Sequence, residues 1–413
     1  MPAGENLLQT NIHQVDNPPR LHTDSNFFQI ADKVEKLDPF LENFLEVKKR
    51  KSIFVNPPEL ARFYGNETQA DTLIVSLDLP AFPSSLESPK IIVFGTPDNY
   101  AMTVGRFRLK QKTLSFQLAR FHLGAFAELD MPMAMWPLAQ VEEVKKLLGN
   151  PQDSHKKTYA INISREGHLT SGHTILARQG YPDIPYTIAH AEHQKDPSNR
   201  FGRAAKVCQI NFEGMNPHDI SLLVVSDNTA SGQQQVAVID EALTHIKNLN
   251  LNPHRLTDVL ILSPLLTLYG ASIISYHNAS EGIATTFVTS GGILGCNPPD
   301  RYFSPLKFRE FTADPRIVDI NHMAHGKTAG IACVRCNWTA SFAAPRYALE
   351  KSEEELKSYG SSNAELFENS RKITPELVRS LGVDPKMLVP YSAYLEAEVE
   401  GKLALLHEIL NSS

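Results

Sequence analysis

Between Thr158 and Val288 short apolar runs alternate with helical or polar segments, and no other feature restricts the fold as much. The runs are TYAINI (158–163), IPYTIA (184–189), LLVV (222–225), VLILS (259–263) and ATTFV (284–288), and each reads as a strand. TSGHTILARQG (170–180) and the stretch from Val236 to Lys247 have helical periodicity. Strands alternating with helices imply βαβ units, so the expected fold class is α/β, a mainly parallel sheet with flanking helices. Ligands of such sheets bind at the carboxyl ends of the strands.

Two of those ends carry chemistry. LLVV runs into SDNTASG (226–232), a small, polar turn with one acid, Asp227. A buried strand emptying into such a turn and then a helix is a phosphate-cradle geometry: backbone N–H groups point outward and the helix dipole favours an anion. The common P-loop is excluded, because no GxxxxGK[ST] is present. TYAINI likewise runs into SREG (164–167).

The flanks differ in texture. Residues 1–36 read as a polar arm. Asp38-Pro39 reads as an N-cap and N1 pair opening a helix to about Arg50. TLIVSLDL (72–79), KIIVFG (90–95) and TLSFQLARF (113–121) read as strands, and Pro137–Leu148 as a helix closed by Gly149. Past residue 300 the chain is irregular to Trp338 and then helical, with a capping box at Ser352/Glu355 and a helix start at Thr374-Pro375-Glu376. Leu395, Val399, Leu403, Leu406 and Leu410 form an apolar stripe on one C-terminal helix, a core or oligomer face. The expected regions are a mixed α+β part (1–150), an α/β domain (151–300) and an irregular, then helical part (301–413).

Composition bounds the class. The chain has 413 residues, 42% hydrophobic and 21% charged, as globular domains do. A net charge of −6 argues against a general nucleic-acid binder. No apolar run approaches the roughly 18 residues that cross a bilayer, and the N-terminus has no signal-peptide pattern. Four cysteines make no disulfide framework, so a reducing, cytoplasmic setting is expected.

ISREGHLTSGHTILARQGYPDIP (163–185) resembles the first strand, pyrophosphate loop, helix and second strand of type I phosphoribosyltransferases. VVSDNTASGQQ (224–234) resembles that family's phosphoribosyl-pyrophosphate signature, a strand leading into two acids and a 5′-phosphate loop. The two motifs occur in order, within about residues 155–300. The resemblance implies that Asp227 holds the ribose hydroxyls, and that Asn228, Thr229, Ala230, Ser231 and Gly232 bind the 5′-phosphate, with hydroxyl help from Thr229 and Ser231. It implies that Ser164, Arg165, Glu166 and Gly167 meet the pyrophosphate, with Arg165 as the positive contact, and that Mg²⁺ bridges pyrophosphate and ribose oxygens. It also implies a mobile flap over HAEHQKDPSNRFGR (190–203). Ser226 stands where the family has its first acid, and Glu166 where it often has a small residue.

Other clusters are weaker. His322, His325, Cys333 and Cys336 have a spacing that a zinc site or four unrelated residues would share. His190 and His193 read as surface histidines, and FRLKQK (107–112) as a basic strand-turn surface. The expected activity is that of a phosphoribosyltransferase acting on phosphoribosyl pyrophosphate (PRPP) or another ribose 5-phosphate compound, with Arg165 and Asp227 as the catalytic pair. The alternative is a binding-only sensor of the same fold, which Ser226 favours. A homodimer is the default assembly.

Overall fold

The computed structural model describes residues 25–54, 58–64, 69–117, 129–130, 132–164, 170–196, 203–248, 255–297, 302–303, 309–325, 357 and 360–412. Its centre is a nine-stranded, mostly parallel mixed sheet with helices on both faces. The strands are β1 (Leu45–Phe54), β2 (Gln69–Leu77), β3 (Lys90–Gly95), β6 (Thr158–Ile163), β7 (Tyr186–Lys195), β8 (Arg203–Gln209), β9 (Leu222–Ser226), β10 (Asp258–Leu262) and β11 (Ala284–Ser290). A hairpin, β4 (Arg106–Lys110) and β5 (Thr113–Gln117), lies outside the sheet. The sheet order is β1-β2-β3-β11-β10-β9-β6-β7-β8. Six neighbouring strands, β3 and β11 through β7, run parallel, while β2 and β8 run against their neighbours. The three N-terminal strands thus extend the same sheet, and residue 150 marks no break in it.

The apolar runs are buried on both sides because alternate residues serve two cores. Tyr159, Ile161, Leu223, Val225, Val259, Ile261 and Phe287 face one core, completed by helices α1 (Ser25–Leu37), α7 (Gln233–Asn248) and α8 (Leu268–Ser280). Ala160, Leu222, Val224, Leu260, Leu262 and Val288 face the other, which α4 (Glu142–Leu148) and α6 (Gly172–Arg178) complete. This is why those strands show no polar alternation.

Around this centre lie α2 (Pro58–Tyr64), α3 (Pro97–Val104), α5 (Pro151–Lys157) and α9 (Pro315–His325). The C-terminal layer is α10 (Asn363–Arg371), α11 (Pro375–Ser380), α12 (Tyr391–Val399) and α13 (Leu403–Asn411). Thr374 caps α11 by accepting from the Leu377 N–H at 3.2 Å, as its sequence signal requires.

Four local expectations are corrected. Asp38-Pro39 opens only a 3₁₀ turn (Asp38–Phe44), and Leu45 onward pairs antiparallel with β2, so ladder hydrogen bonds override the helix propensity of the Glu/Lys/Arg run. Residues 25–36 of the expected arm are helical instead: Phe27, Ile30, Ala31 and Val34 pack α1 into the core. The stretch Pro137–Leu148 breaks at Val141, which is extended (φ −81°, ψ 125°), leaving a 3₁₀ turn and α4; Gly149 does end α4, at φ 66°. The C-terminal stripe spans two helices, with the turn at Glu400–Lys402 using Gly401 at φ 66°, and Val399 is 87% exposed instead of aligned with buried Leu406 and Leu410. Among the described residues, no helix is long and apolar enough to cross a membrane.

Candidate functional site

The parallel strands β7-β6-β9-β10-β11 have the doubly wound order 2-1-3-4-5. Chain direction along the sheet reverses between β6 and β9, and the crevice outside their carboxyl ends is where such sheets take ligands. Asn162 of β6 is in register with Ser226 of β9. Neighbouring strands lie about 4.8 Å apart, so the chain leaves the sheet at Ser164 and at Asp227 side by side.

The loop after β9 is stitched to the loop after β10. The Thr229 N–H donates to Leu265 O (2.8 Å), Thr267 N–H to Thr229 O (2.9 Å), and Leu265 N–H to Asn228 Oδ1 (3.1 Å). Thr267 Oγ1 donates to Ala230 O. Gly270, in the first turn of α8, lets that helix approach: a β-carbon there would lie 2.5 Å from Ala230 O. Gly232 has φ 76°, where a β-carbon would be strained, and turns the chain into α7. The first N–H groups of that 16-residue helix have no carbonyl partner within it, and its dipole puts partial positive charge at the loop.

Asp227 is 3% exposed and accepts from Gln235 Nε2 at 3.2 Å. The same amide nitrogen donates to Asn228 O (2.9 Å) and Thr229 Oγ1 (3.1 Å), so Gln235 organises the loop from behind. Thr229 is wholly buried and its hydroxyl also accepts from Ser263 Oγ (2.9 Å). That hydroxyl belongs to the loop's internal bonding.

Ser226 is wholly buried, and its hydroxyl has no hydrogen-bond partner among the described residues. A β-carbon on Gly172 would come within 2.8 Å of Ser226 Oγ and 2.9 Å of Val224 Cγ1. The start of α6 therefore rests directly on Ser226. Gln233, the first residue of α7, is 4% exposed, and neither its amide oxygen nor its nitrogen has a partner among the described residues. These two side chains stand at the two ends of the turn, Ser226 closing β9 and Gln233 opening α7.

The other wall belongs to β6 and β7. Asn162 Oδ1 accepts from the Gly172 N–H (3.0 Å), and its Nδ2 lies 3.1 Å from His173 Nδ1. The His173 ring stacks on Tyr186 at 3.5 Å. Ser164 Oγ lies 2.9 Å from His190 Nδ1. The expected flap has arms of regular structure: β7 and β8 form an antiparallel ladder pairing His190 with Gln209 and Lys195 with Arg203. His190 and His193 are exposed on it.

Arg165, Glu166 and Gly167 lie outside the described residues, as do Cys333, Cys336, the His325 side chain and the Ser352/Glu355 box. His322 is exposed on α9, and among the described residues no three His, Cys, Asp or Glu side chains gather to hold a metal. The basic cluster 107–112 forms the β4–β5 hairpin, where Phe107 is buried and Arg108 pairs with Glu396 at 3.1 Å. Asn162, Gly172, Gln233 and Gln235 are site residues that sequence reasoning missed. Asn162 had a legible signal, a lone amide inside an apolar strand, whereas nothing separates the roles of the three adjacent glutamines at 233–235. No family model matches the chain, and no curated protein matches it.

Proposed function

We propose that this chain is a phosphoribosyltransferase-like enzyme that binds PRPP, or another ribose 5-phosphate compound, between β6 and β9. It would move the phosphoribosyl group to or from a base-like acceptor. The register of Asn162 with Ser226 supports this reading, because the strands that lead into the two motifs end side by side at a switch point. The unpartnered Ser226 hydroxyl and Gln233 amide give it further support.

In this reading the backbone of Ala230–Gly232 and the start of α7 bind the 5′-phosphate. Asp227, oriented by Gln235, accepts hydrogen bonds from the ribose hydroxyls. Ser164 and Arg165 meet the pyrophosphate. Asp227 suits a Mg²⁺ that arrives with the donor, since that ion takes one or two carboxylates plus phosphate oxygens. Bound there, the ion would neutralise charge on the leaving pyrophosphate. The β7–β8 hairpin would shield the anomeric carbon from water, and positioning and electrostatics would supply most of the rate.

One observation favours a second reading, a binding-only sensor. The place of the first acid is taken by a buried serine beneath Gly172. Incubating the protein with PRPP, Mg²⁺ and a panel of nucleobases separates the two. Pyrophosphate release that depends on an acceptor supports transfer. A thermal shift with PRPP and no release supports the sensor. Neither shift nor release rules out both.

A further inference from the structure

A second cluster of ionisable groups lies away from the proposed crevice, where the C-terminal layer meets α3 and β4. Asp98, in the first turn of α3, and Asp130 are wholly buried. Both grip the start of α12. Asp98 Oδ1 accepts from the Tyr391 N–H (3.0 Å), and Asp130 Oδ1 from the Ser392 N–H (2.6 Å). Ser392 Oγ also donates to Asp130 Oδ2 at 2.6 Å. One helix start is thus held by two carboxyl groups from elsewhere in the chain.

The described groups around this pair come from several neighbouring elements, and Arg62 of α2 pairs with Glu398 of α12 at 3.2 Å. Tyr64 of α2 donates to Asp98 Oδ2 at 3.5 Å. Arg106 of β4, 2% exposed, bonds Ser392 Oγ and donates to Glu396 Oε1 of α12 at 3.1 Å. Arg108 pairs with the other oxygen of Glu396 at 3.1 Å. Tyr391 and Tyr394 of α12 and His407 of α13 stack nearby, and Asp384 acts on Tyr394. Both guanidinium groups pair with Glu396, and Arg106 also reaches Asp130 through the Ser392 hydroxyl they share.

We propose that Asp98 and Asp130 share a proton and act as a latch that holds α12 on α3 and β4, and that loss of this proton frees the helix. Two carboxylates in one dry site repel, and hydrogen bonding through a common proton removes the repulsion. Burial pushes the Asp98 carboxyl up to about 6, against hydrogen bonds from Tyr391 and Asp130. Burial first, and then the Asp98 charge, drive Asp130 well above the carboxylate range. Both groups hold their protons more tightly folded than unfolded. The stability this contributes is full below the ordinary carboxylate value of 3.8 and declines as pH rises through 6 and beyond. The latch therefore weakens as rising pH removes the shared proton. Freeing α12 would uncover the ring cluster of Phe63, Tyr64, Tyr391 and Tyr394.

Amide hydrogen exchange on the full chain between pH 4 and 9, corrected for intrinsic rates, tests this. Protection of residues 391–399 should fall by up to about tenfold per pH unit as pH rises above 3.8. Asp130→Asn is permanently neutral and keeps an acceptor for Ser392, so it should flatten the profile. Asp98→Asn serves the same purpose where Asp130→Asn does not accumulate. Protection of α12 that does not change with pH in the wild type overturns the latch. An equal fall in wild type and variant overturns it too.

Discussion

Gly172 and Ser226 are packed so closely that a β-carbon on the glycine would lie 2.8 Å from the serine hydroxyl. The start of α6 and the end of β9 have therefore been fitted to each other. Ser226→Asp would place a carboxylate in this contact. We expect it to destabilise the fold by about 2–5 kcal/mol, through overpacking and an unpaired buried charge. Gly172→Ala should cost about 1–3 kcal/mol. Urea unfolding of both variants checks this. Wild-type stability in Ser226→Asp would mean that the site has room for two acids.

Asp227→Asn removes the one carboxylate of the loop while keeping its shape. Binding of PRPP should weaken at least about tenfold, the cost of a charged hydrogen bond, with global stability little changed. Calorimetric titration with PRPP and Mg²⁺ reads this. Undiminished affinity would remove Asp227 from the site.

The cradle should also fail from behind. Gly270→Ala would put a β-carbon 2.5 Å from the Ala230 carbonyl. The loop must then shift, and we expect lower PRPP affinity together with a stability loss of about 1–3 kcal/mol. If Gly270→Ala bound PRPP normally, the loop's seating on α8 would be irrelevant to the site.

His277 and Asp240 tie α8 to α7 through a 2.8 Å contact. Burial opposes the charge on the imidazole, but the hydrogen bond and charge of Asp240 outweigh it and raise the group above its ordinary 6.5. A raised folded value stabilises fully below pH 6.5 and is lost as pH climbs through that higher value. Thermal melts should thus show a decline on the alkaline side of 6.5 that His277→Gln reduces. An identical pH profile in that variant would show that the pair does not titrate there.

Much of the α/β centre is legible in the chain. TYAINI, KIIVFG and LLVV fall within one residue of observed strands, because strands buried on both faces must be continuously apolar. The small residues at 226–232 likewise reveal a tight turn. Failure begins where local preference and long-range pairing disagree. The Glu/Lys/Arg run at 46–51 favours a helix, yet β2 supplies a ladder partner and makes it an edge strand. The C-terminal stripe looks continuous until Gly401 turns the chain.

The sequence by itself determined that strands and helices alternate, that two small polar turns follow two apolar strands, and that no common P-loop is present. Those properties are local, set by periodicity and by the few residues that tolerate tight turns. Only the tertiary structure decided that β6 and β9 are neighbours, that Gly172 covers Ser226, that Gln235 supports Asp227, and that Asp98 and Asp130 meet at α12. Each joins segments between 8 and 293 residues apart through packing or hydrogen bonding. No local pattern encodes such contacts, because they form only when the sheet order brings the segments together.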